Sequence, residues 1–194
     1  CAAIGQSFLM HTYEKAFEKK DIKVAQILLS HDDLGNRRRY LNAKHTIEAL
    51  LERNVIPIIN ENDSVTVEEI KIGDNDTLSA TVACLVDAQL LIILSDVEGL
   101  FNRDPSIKIK GEKAELLSHV ARVNDEIERT AGKSNNKLTV GGMYTKVIAA
   151  KKTMSFGIPT LVVNGLDEKV LENIFSGKDV GTLFWSGKGK MRDR

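Results

Sequence analysis

The chain has 194 residues and a mass of 21.5 kDa, enough for one domain with a substantial core. Its 27 basic and 27 acidic residues cancel, so the broad basic field that attracts nucleic acid is absent and no nucleic acid partner is expected. No apolar run approaches the roughly 20 residues of a membrane span, and no signal peptide is visible. The two cysteines, Cys1 and Cys84, argue against a disulfide framework and for a reducing, cytoplasmic setting.

In chain order, helical and strand patterns alternate. Ile4, Phe8, Met10, Tyr13 and Phe17 recur near helical spacing. Ile22 to Leu29 is apolar and β-rich, as expected of a strand covered on both faces. Asn36 to Asn54 reads as a long amphipathic helix, and Val55 to Ile59 as a short buried strand. Val65, Val67, Ile70 and Ile72 fit a small hairpin or flap, and Thr77 to Val86 is a helix rich in Ala and Leu. Gln89 to Leu94 is the expected central strand, running into Ser95-Asp96-Val97-Glu98-Gly99-Leu100. Asn102-Arg103-Asp104-Pro105 signals a turn, followed by helices over 123–131 and 143–156, a strand at 159–163, a helix at 171–175 and a last core segment at 181–185. This alternation predicts an α/β fold, a three-layer α/β/α sandwich around a mainly parallel central sheet. The chain does not begin with Met and starts in mid-pattern, so residues upstream of Cys1 are expected.

Common nucleotide motifs are missing. No Gly-x-Gly-x-x-Gly follows a strand, which argues against a dinucleotide-dependent oxidoreductase. Gly132-Lys133-Ser134 looks like the end of a P-loop, but Ile127 occupies the place of the first glycine and a helix, not a strand, precedes it. Four scattered histidines offer no zinc spacing. What remains is a set of polar corners. Asn60-Glu61-Asn62-Asp63 ends a strand, Asp74-Asn75-Asp76 opens a helix, and Gly141-Gly142-Met143-Tyr144-Thr145-Lys146 is a glycine turn entering another. In α/β sheets, ligands bind beyond the carboxyl ends of strands, near helix N-termini. Taken singly, the second corner fits plain helix capping, and Lys146 fits a solvated side chain.

The corners carry a family likeness. Leu41-Asn42-Ala43, Ile59 to Asp63, Ile72 to Asp76, Leu94 to Leu100 and Gly141 to Lys146 occur in the order and spacing of the glutamate 5-kinases, within the amino acid kinase family. Ala3 to Ser7 and Gly181-Thr182-Leu183-Phe184 are similar too, so the resemblance spans essentially the whole chain. It implies phosphorylation of the side-chain carboxylate of L-glutamate by ATP with Mg2+, the first step of proline synthesis, by a cytoplasmic homo-oligomer, a dimer or tetramer. By the same resemblance, Asn42, His45, Asn62 and Asp63 form the substrate set, with Asn62 bonding a glutamate carboxylate and Asp63 its ammonium. Ser95, Asp96 and the run Val140, Gly141, Gly142, Met143, Tyr144, Thr145 and Lys146 contact the nucleotide. Lys146 also supplies catalytic charge, and Asp76 orients the catalytic lysines. No residue is assigned as a protein ligand to a metal.

There are departures. His45 stands where an aspartate is common, and Val140 replaces a threonine before the two glycines. The family's opening strand, with its lysine and glycine-bearing phosphate loops, has no counterpart from Cys1 onward, and the C-terminal accessory domain of many relatives is expected to be either absent or cut away after Trp185. Other branches of the family (acetylglutamate, carbamate or nucleotide kinases) and a non-catalytic regulatory domain with this fold stay open on these residues.

Overall fold

The computed structural model describes residues 2–63, 74–105, 113–132 and 142–187. The chain divides into two compact units, Cys1–Leu78 and Ser79–Arg194. The proposed flap at 65–72 lies outside the described residues.

The first unit holds helix α1 (Ala2–Glu18), strand β1 (Lys23–Leu29), helices α2 (His31–Gly35) and α3 (Arg37–Glu52), and strand β2 (Val55–Glu61). β1 and β2 pair in parallel from Lys23↔Val55 to Leu29↔Glu61. α1 packs against β1, and α3 against β2. Helix ends are set locally. Asn36 caps α3 by accepting from the amides of Arg38 and Arg39, at 3.0 and 3.3 Å. Asn54, with φ 58°, turns the chain out of α3 into β2, and Asp21, with φ 55°, does the same between α1 and β1. Asn and Asp tolerate this left-handed conformation better than other non-glycine residues.

Sequence periodicity missed α2, which is only one turn long, although its capping box was legible. The Ser30 amide donates to Asp33 Oδ2 at 2.8 Å, and the Asp33 amide donates back to Ser30 Oγ. The side-chain and backbone hydrogen bonds from Ser30 hold the Asp33 carboxyl below its ordinary range, with Arg39 adding a smaller pull.

Two strand expectations need correction. Within β1 only Leu29 is buried, and every residue of β2 is only partly buried, so neither is enclosed. Among the described residues the sheet they form has two strands, and each pairs there on one side. A continuous apolar run reports hydrophobicity, not the number of neighbours it will meet.

Helix α4 (Asn75–Leu85) carries the boundary between the units within it. The second unit continues with β3 (Leu91–Ser95), β4 (His119–Val120), α5 (Asp125–Thr130), α6 (Met143–Ser155), β5 (Thr160–Asn164), α7 (Val170–Phe175) and β6 (Thr182–Phe184). Its sheet runs β3-β5-β6-β4, with β3–β5 and β4–β6 parallel and β5–β6 antiparallel. β3, expected at the centre, therefore pairs with β5 alone among the described strands, and Leu94 is 52% exposed. β5 holds the interior place.

Alternation along β5 directs its side chains to two cores. Val162 joins Ile93, Val120, Val147, Ala150 and Phe184 beneath α6. Leu161 and Val163 join Val170 of α7, with Ile92 and Ile174 packed alongside. Helices on both faces make this unit three-layered. No described helix is long and apolar enough to cross a membrane.

Phe184 is fully buried and faces the larger core. Phe184→Ala is expected to lower stability by about 3–5 kcal/mol in urea unfolding, through lost apolar burial and an unfilled cavity. A change under about 1 kcal/mol would mean the surroundings collapse onto the site.

Candidate active site

The residues expected to hold the substrate lie in the first unit. Asn42 and His45 are exposed on α3, about one turn apart, and the Asn42 carbonyl accepts from Thr46 Oγ1 at 2.8 Å. Asn62 follows β2 and is partly buried, its amide donating to the Leu29 carbonyl at 2.9 Å. That bond extends the β1–β2 ladder by one residue, so the Asn62 backbone is fixed by the sheet. Asp63 is exposed in the turn that follows. The corner 60–63 thus stands where a parallel pair of strands ends.

At the second corner, Asp74 caps α4, its Oδ1 accepting from the Thr77 amide at 2.7 Å. The capping explanation holds for Asp74. Asp76, partly buried in the first turn, is a separate case, its charge favoured by the helix dipole there. The helix begins at Asn75, two residues earlier than expected, because the cap residue itself supplies the missing acceptor.

The residues expected at the nucleotide lie in the second unit. Ser95 ends β3 and Asp96 is exposed just beyond it, with Ser95 Oγ donating to Asp96 Oδ1 at 3.1 Å. Gly142 is the N-cap of α6, and its carbonyl accepts from Thr145 Oγ1 at 2.7 Å. Val140 and Gly141 lie outside the described residues. α6 returns through a short turn into β5, packs on it, and so runs against its direction. β5 is parallel to β3. The N-terminus of α6 therefore lies at the same end of the sheet as Ser95 and Asp96, the carboxyl ends of β3 and β5. Two corners expected at the nucleotide, distant in sequence, thus stand at one end of the sheet.

Met143 and Tyr144 are partly buried against the larger core, and Thr145 and Lys146 are 9% and 7% exposed. Lys146 corrects the solvated-side-chain explanation. It is the fourth residue of α6, in the first turn, where the helix dipole opposes a cation, and burial adds a desolvation cost. An anion bound at the helix N-terminus would meet both the lysine and the amides of the first turn.

The other end of α6 is tied down by residues that sequence reading did not single out. Lys151 Nζ donates to Glu128 Oε1 on α5 at 2.6 Å, and Lys152 Nζ donates to Thr81 Oγ1 on α4 at 2.6 Å. A lysine pair in a helix's last turns is a legible dipole signal, but its partners are 23 and 71 residues away in sequence. Cys84 is buried in α4, and burial pushes its thiol up, which makes it a poor nucleophile. Among the described residues, no group of three or more His, Cys, Asp or Glu could hold a metal ion.

The fold defines an α/β sandwich protein, with polar residues in each unit standing where parallel strands end. The sequence profile of the amino acid kinase family matches residues 1–164, and the chain belongs to that family. It is 51% identical, over 193 residues, to the glutamate 5-kinase of Geobacter sulfurreducens, covering 100% of this chain and 51% of that one. It is 50% identical to the glutamate 5-kinase of Carboxydothermus hydrogenoformans over 98% of this chain and 50% of that one. The chain thus spans about half the length of these curated relatives. Among solved structures, an isopentenyl phosphate kinase of T. acidophilum superposes with a TM-score of 0.58, at 16% identity, over 92% of this chain and 66% of that one. A UMP kinase from Bacillus anthracis gives 0.53, also at 16% identity, over 86% of this chain and 59% of that one. At that identity the two structures bear on the fold alone.

The Glu128–Lys151 pair is asymmetric, the carboxylate side chain 5% exposed and the lysine 52%. Lys151→Met removes a cation from beside a buried carboxylate, whereas Glu128→Gln leaves Lys151 an acceptor. Lys151→Met is therefore expected to destabilise more than Glu128→Gln, by about 1–3 kcal/mol in urea unfolding. Equal effects would show that the cation is not what holds Glu128 inside.

Proposed function

We propose that this chain is the catalytic part of a kinase that transfers the γ-phosphoryl group of ATP to the side-chain carboxylate of L-glutamate, giving L-glutamate 5-phosphate and ADP. The observation that carries phosphoryl transfer is the buried Lys146 in the first turn of α6, at the carboxyl end of the sheet. The choice of glutamate rests on the names of relatives about half identical along the chain.

The chemistry asks little of general bases. A carboxylate with an ordinary pKa of about 4.3 is already ionised at neutral pH, so its oxygen attacks phosphorus without losing a proton. A new C–O–P linkage forms as the bond to the β-phosphate oxygen breaks, and ADP leaves with the electron pair. The obstacle is the approach of one anion to another, and it is met by positioning and by cations on the transferring oxygens. Lys146 is assigned one such charge, the amides after Gly142 face phosphate, and Ser95 and Asp96 contact the nucleotide. Asn62 and Asp63 hold the glutamate, Asn42 and His45 flank it, and Asp76 orients lysine charge. Magnesium, carried on the nucleotide's phosphates, neutralises part of their charge when bound; no described side-chain cluster is assigned to it. A cytoplasmic, homo-oligomeric enzyme is part of the same reading.

ADP release with ATP and each candidate acceptor tests the substrate. L-Glutamate is expected to be preferred, and preference for N-acetylglutamate, carbamate or UMP would move the protein to another branch of the family. Lys146→Ala is expected to cut kcat on the order of a hundredfold or more while changing the KM for ATP much less, because its charge acts mainly in the transition state. Unchanged turnover would remove Lys146 from the mechanism.

A further inference from the structure

The stretch Ser95–Leu100 leaves β3 and carries Asp96, and it is pinned at both ends by other strands of its sheet. At its start, the Ser95 carbonyl accepts from the Gly165 amide, just past β5, at 2.7 Å. At its end, the Leu100 amide donates to Thr182 Oγ1, the first residue of β6, at 2.8 Å, and the Leu100 carbonyl accepts from the Leu117 amide at 2.8 Å. Thr182 and Leu100 are both buried, while Asp96, Val97 and Glu98 between the pins are exposed.

The fit against Thr182 is close. A Cβ placed on Gly99 would lie 2.5 Å from Thr182 Oγ1 and 3.1 Å from its amide nitrogen, and Gly99 has φ +155°. Only glycine lets the loop backbone come this near the hydroxyl. Thr182 is held in turn by its neighbour: Gly181 has φ +71°, and a side chain there would run into the Val162 carbonyl of β5. Burial of Leu100 sets how deep the loop ends. The hydroxyl sets which way its last peptide faces, because the Leu100 amide has no water to turn to instead.

We propose that Thr182 is a positioning residue for the nucleotide: by accepting the Leu100 amide, it holds the Ser95–Leu100 loop in the conformation from which Asp96 meets ATP. This deepens, and rests on, the nucleotide role proposed for Asp96. Without the acceptor, the amide is left unsatisfied in the core, and the loop shifts toward conformations that hydrate it. Apparent affinity then falls with the fraction of loops still competent.

The test is steady-state kinetics on the protein as its gene encodes it, varying ATP and acceptor separately. Thr182→Val removes the acceptor at nearly constant shape and is expected to raise the KM for ATP roughly three- to tenfold, with acceptor KM and kcat at saturating ATP near wild type. Thr182→Ser restores the hydroxyl and is expected to restore the ATP KM. Should the valine variant not fold, Thr182→Cys, similar in size and a weak acceptor, is read the same way. A general loss, with kcat and both KM values moving together and no recovery in Thr182→Ser, would mark Thr182 as merely structural and overturn the proposal. Asp96→Ala in the same assay separates the two readings. If it weakens ATP while Thr182→Val does not, the positioning role alone falls. If it leaves ATP unaffected, the loop is no nucleotide contact and both fall.

Discussion

The second unit depends on β5, a five-residue strand whose first four residues are buried. Its backbone pairs with β3 on one side and β6 on the other, and its side chains alternate between two cores. Such a strand must satisfy every backbone group through its neighbours. Its place therefore fixes the ends of β3 and β6 beside it. Those are the ends that carry Ser95 with Asp96, and Thr182. The loop proposed to meet the nucleotide is thus an extension of sheet geometry, not an independent surface feature.

α6 takes its position from the same strand. Thr145, Lys146, Val147, Ala149, Ala150 and Thr153 are its buried residues, and most of them are small. Small side chains let the helix lie close to the sheet and leave little freedom for its axis. Thr153 adds a hydrogen bond to Thr160 at the start of β5, within the core. Lys151 and Lys152 tie its far end to α5 and α4. Lys146 is buried at the opposite end, in the first turn, so the same packing that seats the helix also places its cation.

The first unit works differently. Its two described strands are mostly partly buried or exposed, and the Asn62 backbone is tied to the sheet by an added ladder bond to Leu29. Asn42 and His45, proposed to flank the substrate, are exposed on α3, a helix whose start and end are set by Asn36 and Asn54. Local caps decide where these side chains begin and end along the chain, and the sheet decides the direction of the corner.

Much of this was legible from residues alone, for a physical reason. Helix and strand periodicity, the caps at Asn36 and Asp74 and the turns at Asp21 and Asn54 depend on neighbours a few residues away, so the order and type of nearly every long element follow from local pattern. The polar corners at 60–63, 74–76 and 141–146 were visible because each interrupts such a pattern. Tertiary structure alone decided that β5 pairs on both sides, that Lys146 is buried, and that Thr182 accepts a bond from an amide 82 residues earlier. Each of these rests on contacts between segments far apart in sequence, where burial and hydrogen-bond partners are set by packing and leave no periodic trace in the chain.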